Sequence, residues 1–286
     1  MGKLIDGKAL ALQKVEQVRR SVEALQTDDI TPGLAVILVG NDPASAIYVR
    51  NKTRACAQAG IANLQHDLPA TTSEAALLQL VATLNADPQV HGILVQQPLP
   101  AHINAQRVLE AIAPEKDADG FHPTNMGRLA LGLPGPRPCT PLGVMQMLAH
   151  IGYDPAGREA VVLGRSAIVG KPMGLMLLAA HATVTWCHSR TADLPSHVRR
   201  ADLLVAAIGK PHFVHADWVK PGAVVIDVGI NRTPEGRIVG DVEPAVAGFA
   251  SHCSPVPGGV GPMTIAMLLQ NTVWLAAQSA RRNEPK

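Results

Sequence analysis

Three short stretches hold residues whose types and spacing could do chemistry. Tyr48 and Lys52 stand four residues apart in "SAIYVRNKTRAC", Gln96 precedes a Pro-Leu-Pro turn in "GILVQQPLP", and Asp117 and Asp119 flank Ala118 in "EKDADGF". On a helix, residues i and i+4 share a face, so the Tyr48 ring and the Lys52 amine could meet one ligand. A lysine partly withdrawn from water exchanges protons near neutrality. A carboxylate pairs well with adjacent N–H donors, and a tyrosine ring offers a flat stacking face. Each stretch also has a plain structural reading: a surface packing pair, a strand-end cap and an Asp-Gly turn.

A fourth stretch, "VVLGRSAIVGKPMG" (161–174), has the outline of a phosphate-binding turn with unusual occupants. A dinucleotide fingerprint asks for Gly-x-Gly-x-x-Gly where a strand turns into a helix. Here Gly164 opens the turn, Ser166 takes the second glycine position, the closing glycine arrives one residue late at Gly170, and Arg165 sits in the loop. NAD-selective domains carry an acidic residue about 20 residues further on, at the end of the second strand. In this chain the second strand ends in His188-Ser189-Arg190, with no carboxylate. Donors and positive charge at that position suit a 2′-phosphate: Arg165 supplies a planar fork and Ser189 a hydroxyl. The cofactor expected is therefore NADP, bound by Gly164, Arg165, Ser166, His188 and Ser189.

The elements that must position these residues alternate along the chain. Apolar periodicity predicts a helix over Gly7–Leu25, and the run Leu34–Gly40 reads as a buried parallel strand. A helix over Pro43–Ala59, a strand over Ala62–Leu68, a helix after Thr72-Ser73-Glu74, a strand over His91–Val95 and a helix near Asn104–Ile112 follow. The Pro/Gly cluster Gly132–Pro138 marks a domain boundary, after which Thr140-Pro141 looks like a helix N-cap and first helical position. Strands near Ala160–Leu163, Thr183–Cys187, Leu203–Ala207 and Ala223–Val228 then precede a final helix from about Pro262 to Ala280. The expected fold is α/β, with two α/β domains separated by a cleft, the C-terminal one a Rossmann-type NADP-binding domain. The expected division is 1–138 for the first domain, joined by a C-terminal helix at about 263–286, and 139–262 for the second.

Composition excludes several classes. With 47% hydrophobic and 17% charged residues, 286 residues describe a globular chain rather than a disordered one. A net charge of +2 and 3% aromatic residues give no case for nucleic acid. No apolar run approaches the roughly 18 residues that span a bilayer, and the first residues lack an apolar stretch of signal-peptide length. Four widely spaced cysteines (Cys56, Cys139, Cys187, Cys253) argue against a zinc site or a disulfide framework, which points to a reducing, cytoplasmic setting. His212 and His215 beside Pro211 read as structural, so no metal is expected.

Taken together with "PVPGGVGPMT" (Pro255–Thr264), these stretches carry a resemblance. The chain resembles the bifunctional methylenetetrahydrofolate dehydrogenase/methenyltetrahydrofolate cyclohydrolase family over nearly its whole length. "GRSxIVGxP", "KDxDGFHPxNxGRL", "RPCTP", "DVGIN" and "PVPGGVGPMT" occur in the family's order and spacing. The resemblance implies that Lys52 is the catalytic lysine, that Gln96 hydrogen-bonds it, that Tyr48 packs on the folate ring system and that Asp119 holds the pterin edge. It also implies that Val95, Gln97, Pro257, Gly258, Gly259, Gly261 and Pro262 contact the substrate, a tetrahydrofolate derivative, and that Ile230 lies near the cofactor. A homodimer formed through the nucleotide domains, and a place in one-carbon metabolism and purine biosynthesis, are implied as well. Two departures stand out: Gln97 where Leu or Met is usual, expected to alter the folate pocket, and Arg54 where a second lysine is common. The rival readings are a dehydrogenase without the cyclohydrolase step, against which Lys52 and Gln96 argue, and a non-catalytic NADP sensor, against which the whole Tyr48/Lys52/Gln96/Asp119 set argues.

Overall fold

The computed structural model describes residues 2–40 and 42–283. A two-residue strand β1 (Lys3–Leu4) leads into α1 (Gly7–Gln26). The apolar run forms β2 (Gly33–Val39), buried along its whole length, as a strand covered on both faces must be. Then come α2 (Pro43–Ala59), β3 (Ala62–Leu68) and α3 (Glu74–Ala86), whose N-cap Ser73 accepts from the Ala76 N–H at 3.2 Å. β4 (Gly92–Val95) is followed by α4 (Ala105–Ala111), capped by the Asn104 side chain, which accepts from Gln106 and Arg107 N–H. Next are α5 (Pro123–Ala130), α6 (Cys139–His150), β5 (Glu159–Leu163), α7 (Gly170–Ala179), β6 (Thr183–Cys187), α8 (Leu194–Arg200) and β7 (Leu203–Ala206). The chain closes with β8 (Val224–Asp227), the short β9 (Asn231–Arg232), β10 (Ile238–Val239) and β11 (His252–Cys253), and α9 (Val260–Asn283).

The described residues cluster into two compact units, those up to 11 with 140–264 and those of 12–139 with the rest from 265 on. One unit holds a three-stranded parallel sheet ordered β3-β2-β4; the other holds a six-stranded parallel sheet ordered β1-β11-β8-β7-β5-β6. β9 and β10 form a separate antiparallel pair in the second unit. The division differs from the sequence expectation at the N-terminus. The described residues up to 11 belong with the larger sheet because Lys3 and Leu4 pair with His252 and Cys253 of β11. Two-residue strands carry no periodicity, so β1, β9, β10 and β11 leave no pattern to read. Residues 284–286, assigned from sequence to the first domain, lie outside the described residues.

Two local expectations are corrected. Thr140 does not cap α6: the helix begins at Cys139, and the Thr140 hydroxyl shares a 3.0 Å hydrogen bond with Thr264 Oγ1 instead. The C-terminal helix, against the expectation that no apolar stretch reaches that length, is long and apolar enough to cross a membrane by length and composition. Of its 18-residue apolar window 61% is buried inside the protein, Met263, Met267, Leu268, Leu269 and Leu275 among it, so its apolar side chains serve as core.

Candidate active site and nucleotide pocket

In the smaller-sheet unit, parallel pairing brings the carboxyl ends of β2 and β4 side by side. The Gln96 N–H continues the ladder past β4, donating to Ile37 O at 2.8 Å, so the Gln96 side chain emerges at the strand end. The loop Lys116–Ala118 lies along β4: Ile93 N–H donates to Lys116 O at 2.7 Å and Ala118 N–H to Ile93 O at 3.3 Å. That attachment sets Asp119 near the same end. The loop is held from within by Asp117, which is buried and accepts from Gly120 N–H, His122 N–H and Asn125 Nδ2 at 3.0, 2.8 and 2.9 Å. Asn271 of α9 donates to Ala118 O and Arg137 O from the other side. Gly120 has φ +75°, and a Cβ there would lie 2.5 Å from the Arg137 carbonyl carbon. Only glycine fits that turn. The two aspartates of the motif thus divide their work: Asp117 builds the loop and Asp119 is left to act.

Lys52 Nζ donates to Gln96 Oε1 at 2.9 Å, and Gln96 Nε2 donates to the Gln97 carbonyl at 2.6 Å. The second bond orients the amide so that its oxygen faces the lysine. The Gln97 side chain is exposed; its part in this arrangement is its backbone carbonyl. Tyr48, one helical turn before Lys52, is 37% exposed, and Val95 is buried at the end of β4. Lys52 and Asp119 keep some solvent contact, but their charged ends are densely surrounded by protein atoms. Burial lowers the Lys52 pKa, opposed by the Asp119 charge and by the thiols of Cys139 and Cys56. Burial likewise pushes Asp119 up to about 6, opposed by Lys52 and reinforced by Asp117. Cys56 is driven to about 12 by burial and is no nucleophile at neutral pH. The site therefore offers a lysine made readier to give up its proton, a fixed amide beside it and a carboxyl group that titrates near 6.

The other site lies in the six-stranded unit. After β5 the chain goes to β6 on one side and then to β7 on the other, so the strand order reverses at the β5/β7 junction. Ligands bind outside the carboxyl ends of the strands at such a switch point. A cavity of about 340 Å³ opens there, lined by Gly164, Arg165 and Ser166 after β5, His188 and Ser189 after β6, and Ile208 and Lys210 after β7. Among the described residues, no acidic one lines it. Gly164 has φ +122°, and a Cβ there would come 2.3 Å from Ala207 O. Ser166, in the second glycine position, accepts from Val169 and Gly170 N–H at 3.2 and 3.3 Å, satisfying two orphan donors at the start of α7. His188 Nδ1 accepts from Arg190 N–H at 3.1 Å, which leaves its Nε2 to carry the ring proton.

The structure thus brings Gly164, Arg165, Ser166, His188 and Ser189 to one cavity and leaves Ile230 outside its lining. Ile230 is 49% exposed, beside Gly261. Pro257, Gly258, Gly259, Gly261 and Pro262 lie in the same unit, in the loop that enters α9 and in its first turn; that loop packs on the start of α1, where a Cβ at Gly7 would run into Gly259 O. Lys210 is a lining residue that motif reading missed. Its signal was position, four residues beyond the end of β7 in a Gly-Lys-Pro turn, and only the strand order reveals that turn as a pocket wall. His215, one of the paired histidines, is bound to Glu243 Oε1 at 2.7 Å and meets the Trp218 ring edge-on.

The residues present fit a phosphorylated dinucleotide: a strand-end cavity, a glycine turn with no room for a side chain, donors on three loops and, among the described residues, no carboxylate in the lining. Comparison with known proteins agrees. Residues 5–119 match the tetrahydrofolate dehydrogenase/cyclohydrolase catalytic domain, and 138–280 match the NAD(P)-binding domain of the same family. The chain is 62% identical over 275 residues to the bifunctional protein FolD of Magnetococcus marinus, covering 96% of each. It is similar to the crystal structure of the bifunctional FolD enzyme of Campylobacter jejuni, with a TM-score of 0.95, 50% identity and coverage of 97% and 99%. It is also similar to the Trypanosoma brucei dehydrogenase-cyclohydrolase complexed with NADP and an inhibitor, with a TM-score of 0.93, 40% identity and coverage of 98% and 99%. The chain belongs to the tetrahydrofolate dehydrogenase/cyclohydrolase family and is a bifunctional, NADP-using enzyme of one-carbon folate metabolism.

Proposed function

We propose that Lys52 carries the proton transfers by which this enzyme turns 5,10-methylenetetrahydrofolate, through 5,10-methenyltetrahydrofolate, into 10-formyltetrahydrofolate. The observation that carries this assignment is the 2.9 Å bond from Lys52 Nζ to a Gln96 amide that is itself fixed by Gln97 O. Gly164, Arg165, Ser166, His188 and Ser189 would hold NADP, which would supply the hydride acceptor for the methylene carbon. Water adding to the methenyl carbon must lose a proton, and the ring nitrogen must gain one before the ring opens. Lys52 Nζ, its pKa lowered by burial, shuttles that proton at small cost. Gln96 holds the amine in line, Tyr48 offers its ring face to the pterin, and the Asp119 carboxylate accepts from the pterin N–H edge. Arg165 and Ser189 hold the 2′-phosphate.

Mixing the protein with 5,10-methylenetetrahydrofolate and NADP tests the reading. NADPH absorbance together with transient methenyl absorbance is expected. Methenyltetrahydrofolate that accumulates and hydrolyses only at the solvent rate would reduce the protein to a dehydrogenase; no absorbance change would make it a sensor. We further propose a homodimer through the nucleotide units, which expose Ile238 and Trp186, and a cytoplasmic setting in which its product feeds purine biosynthesis; four cysteines without a disulfide suit a reducing compartment. A solution mass of one chain would contradict the dimer.

The acid limb of the pH profile follows from Asp119. Its pKa is raised, to about 6, so the carboxylate is present above that value and is lost as pH falls through it. The cyclohydrolase kcat/KM is expected to drop with a slope approaching tenfold per pH unit below about 6. A profile that stays flat down to about pH 5 would remove Asp119 from pterin recognition.

A further inference from the structure

Beneath the nucleotide cavity lies a fully buried carboxylate that neither the family motifs nor the assignments above use. Asp241, with no exposed surface, accepts from three consecutive backbone N–H groups: Ile208 at 2.6 Å, Gly209 at 3.0 Å and Lys210 at 2.9 Å. Asn231 Nδ2 supplies a fourth bond at 2.9 Å. Three successive N–H groups turned to one point form a nest, the backbone arrangement that elsewhere captures phosphate. Here the protein fills it with its own anion.

Asp241 is in turn held in place. Its N–H donates to Asp227 Oδ1 and the Val242 N–H to Asp227 Oδ2, at 2.9 and 3.0 Å. Asp227 sits at the end of β8, where its own N–H donates to Ser254 Oγ at 2.7 Å. Gly229 and Gly240 press on these carboxylates so closely that a Cβ at either would collide with Asp241 or Asp227. A buried charge costs several kcal/mol to desolvate, so one satisfied on every side is an expensive way to make an ordinary turn. The turn it makes is the one that carries Ile208 and Lys210 into the cavity, where the Lys210 ammonium lies 5.3 Å from the Phe213 ring centroid.

We infer that Asp241 is a positioning residue for NADP: by occupying the nest of Ile208–Lys210 it fixes the turn after β7, so that Lys210 forms a second cationic wall beside Arg165 and the loop N–H groups cannot compete for phosphate. This rests on the nucleotide-pocket reading above. The test is Asp241→Asn, which keeps the shape but sets an NH2 group against backbone donors. The KM for NADP is expected to rise about tenfold or more with dehydrogenase kcat changed less than about threefold, and cyclohydrolase activity, which needs no NADP, is expected to hold. Lys210→Ala is expected to raise the same KM several-fold, and the double variant to lose little beyond Asp241→Asn alone. An unchanged KM, a parallel loss of both activities, or a silent Lys210→Ala overturns the inference. If Asp241→Asn fails to fold, Asn231→Ala, which removes one of the four bonds, replaces it, with a smaller KM rise expected and the same results overturning. Arg165→Ala separates the two readings: if it weakens NADP while the Asp241 and Lys210 variants do not, the pocket stands and this inference falls.

Discussion

Replacing Lys52 by methionine is expected to abolish cyclohydrolase activity while part of the hydride transfer survives. Departure of hydride from the methylene carbon leaves a cation without any protein base taking part, whereas hydration and ring opening both require a proton to move. General acid–base catalysis contributes about 10²–10⁴-fold, so the loss of hydrolysis should reach that size. Methionine keeps the length and apolar character of the lysine stem and removes only the amine. The surroundings tolerate the change: the Lys52 ammonium is held there against its own desolvation, and its removal leaves the Gln96 Oε1 acceptor open to water in a partly exposed site. A Lys52→Met enzyme that still hydrolyses methenyltetrahydrofolate well above the solvent rate would refute the role. Equal loss of both reactions would instead make Lys52 a substrate-binding residue.

Arg165→Ala is expected to weaken NADP binding by about 1.5–3 kcal/mol, the worth of hydrogen bonds to a charged group, with NAD binding little changed. Arg165 is exposed in the loop after β5, on the rim of a cavity that, among the described residues, no acidic one lines. Its guanidinium stands at the surface, so its removal costs the fold little by comparison. The discrimination is therefore in the difference between the two cofactors, measured by dissociation constants at fixed ionic strength. Equal losses for NADP and NAD would place Arg165 on the shared pyrophosphate rather than the 2′-phosphate.

Much of this was legible in the chain alone. β2 reads as a strand because seven consecutive small and branched apolar residues can be satisfied only by burial on both faces. α3 and α4 start where Ser73 and Asn104 announce them, since a cap is a local hydrogen bond between neighbours in sequence. That Arg165, Ser166, His188 and Ser189 line one cavity was legible because the loops after the first two strands of such a fold are adjacent by rule. What stayed hidden was everything set by pairing between distant segments. Lys3 and Leu4 join the larger sheet only through β11, some 250 residues away. Asp117 and Asp119 are equivalent in the spacing of "KDAD", where the resemblance alone singles out Asp119; the backbone and Asn125 donors gathered around Asp117 supply the physical difference. Lys210 and Asp241 become neighbours through the order of strands. Residue types and local spacing determined which chemistry this chain can hold; the long-range hydrogen bonds of its tertiary structure decided which side chains stand together and which are spent on holding loops, because burial and partner supply, unlike periodicity, are not local quantities.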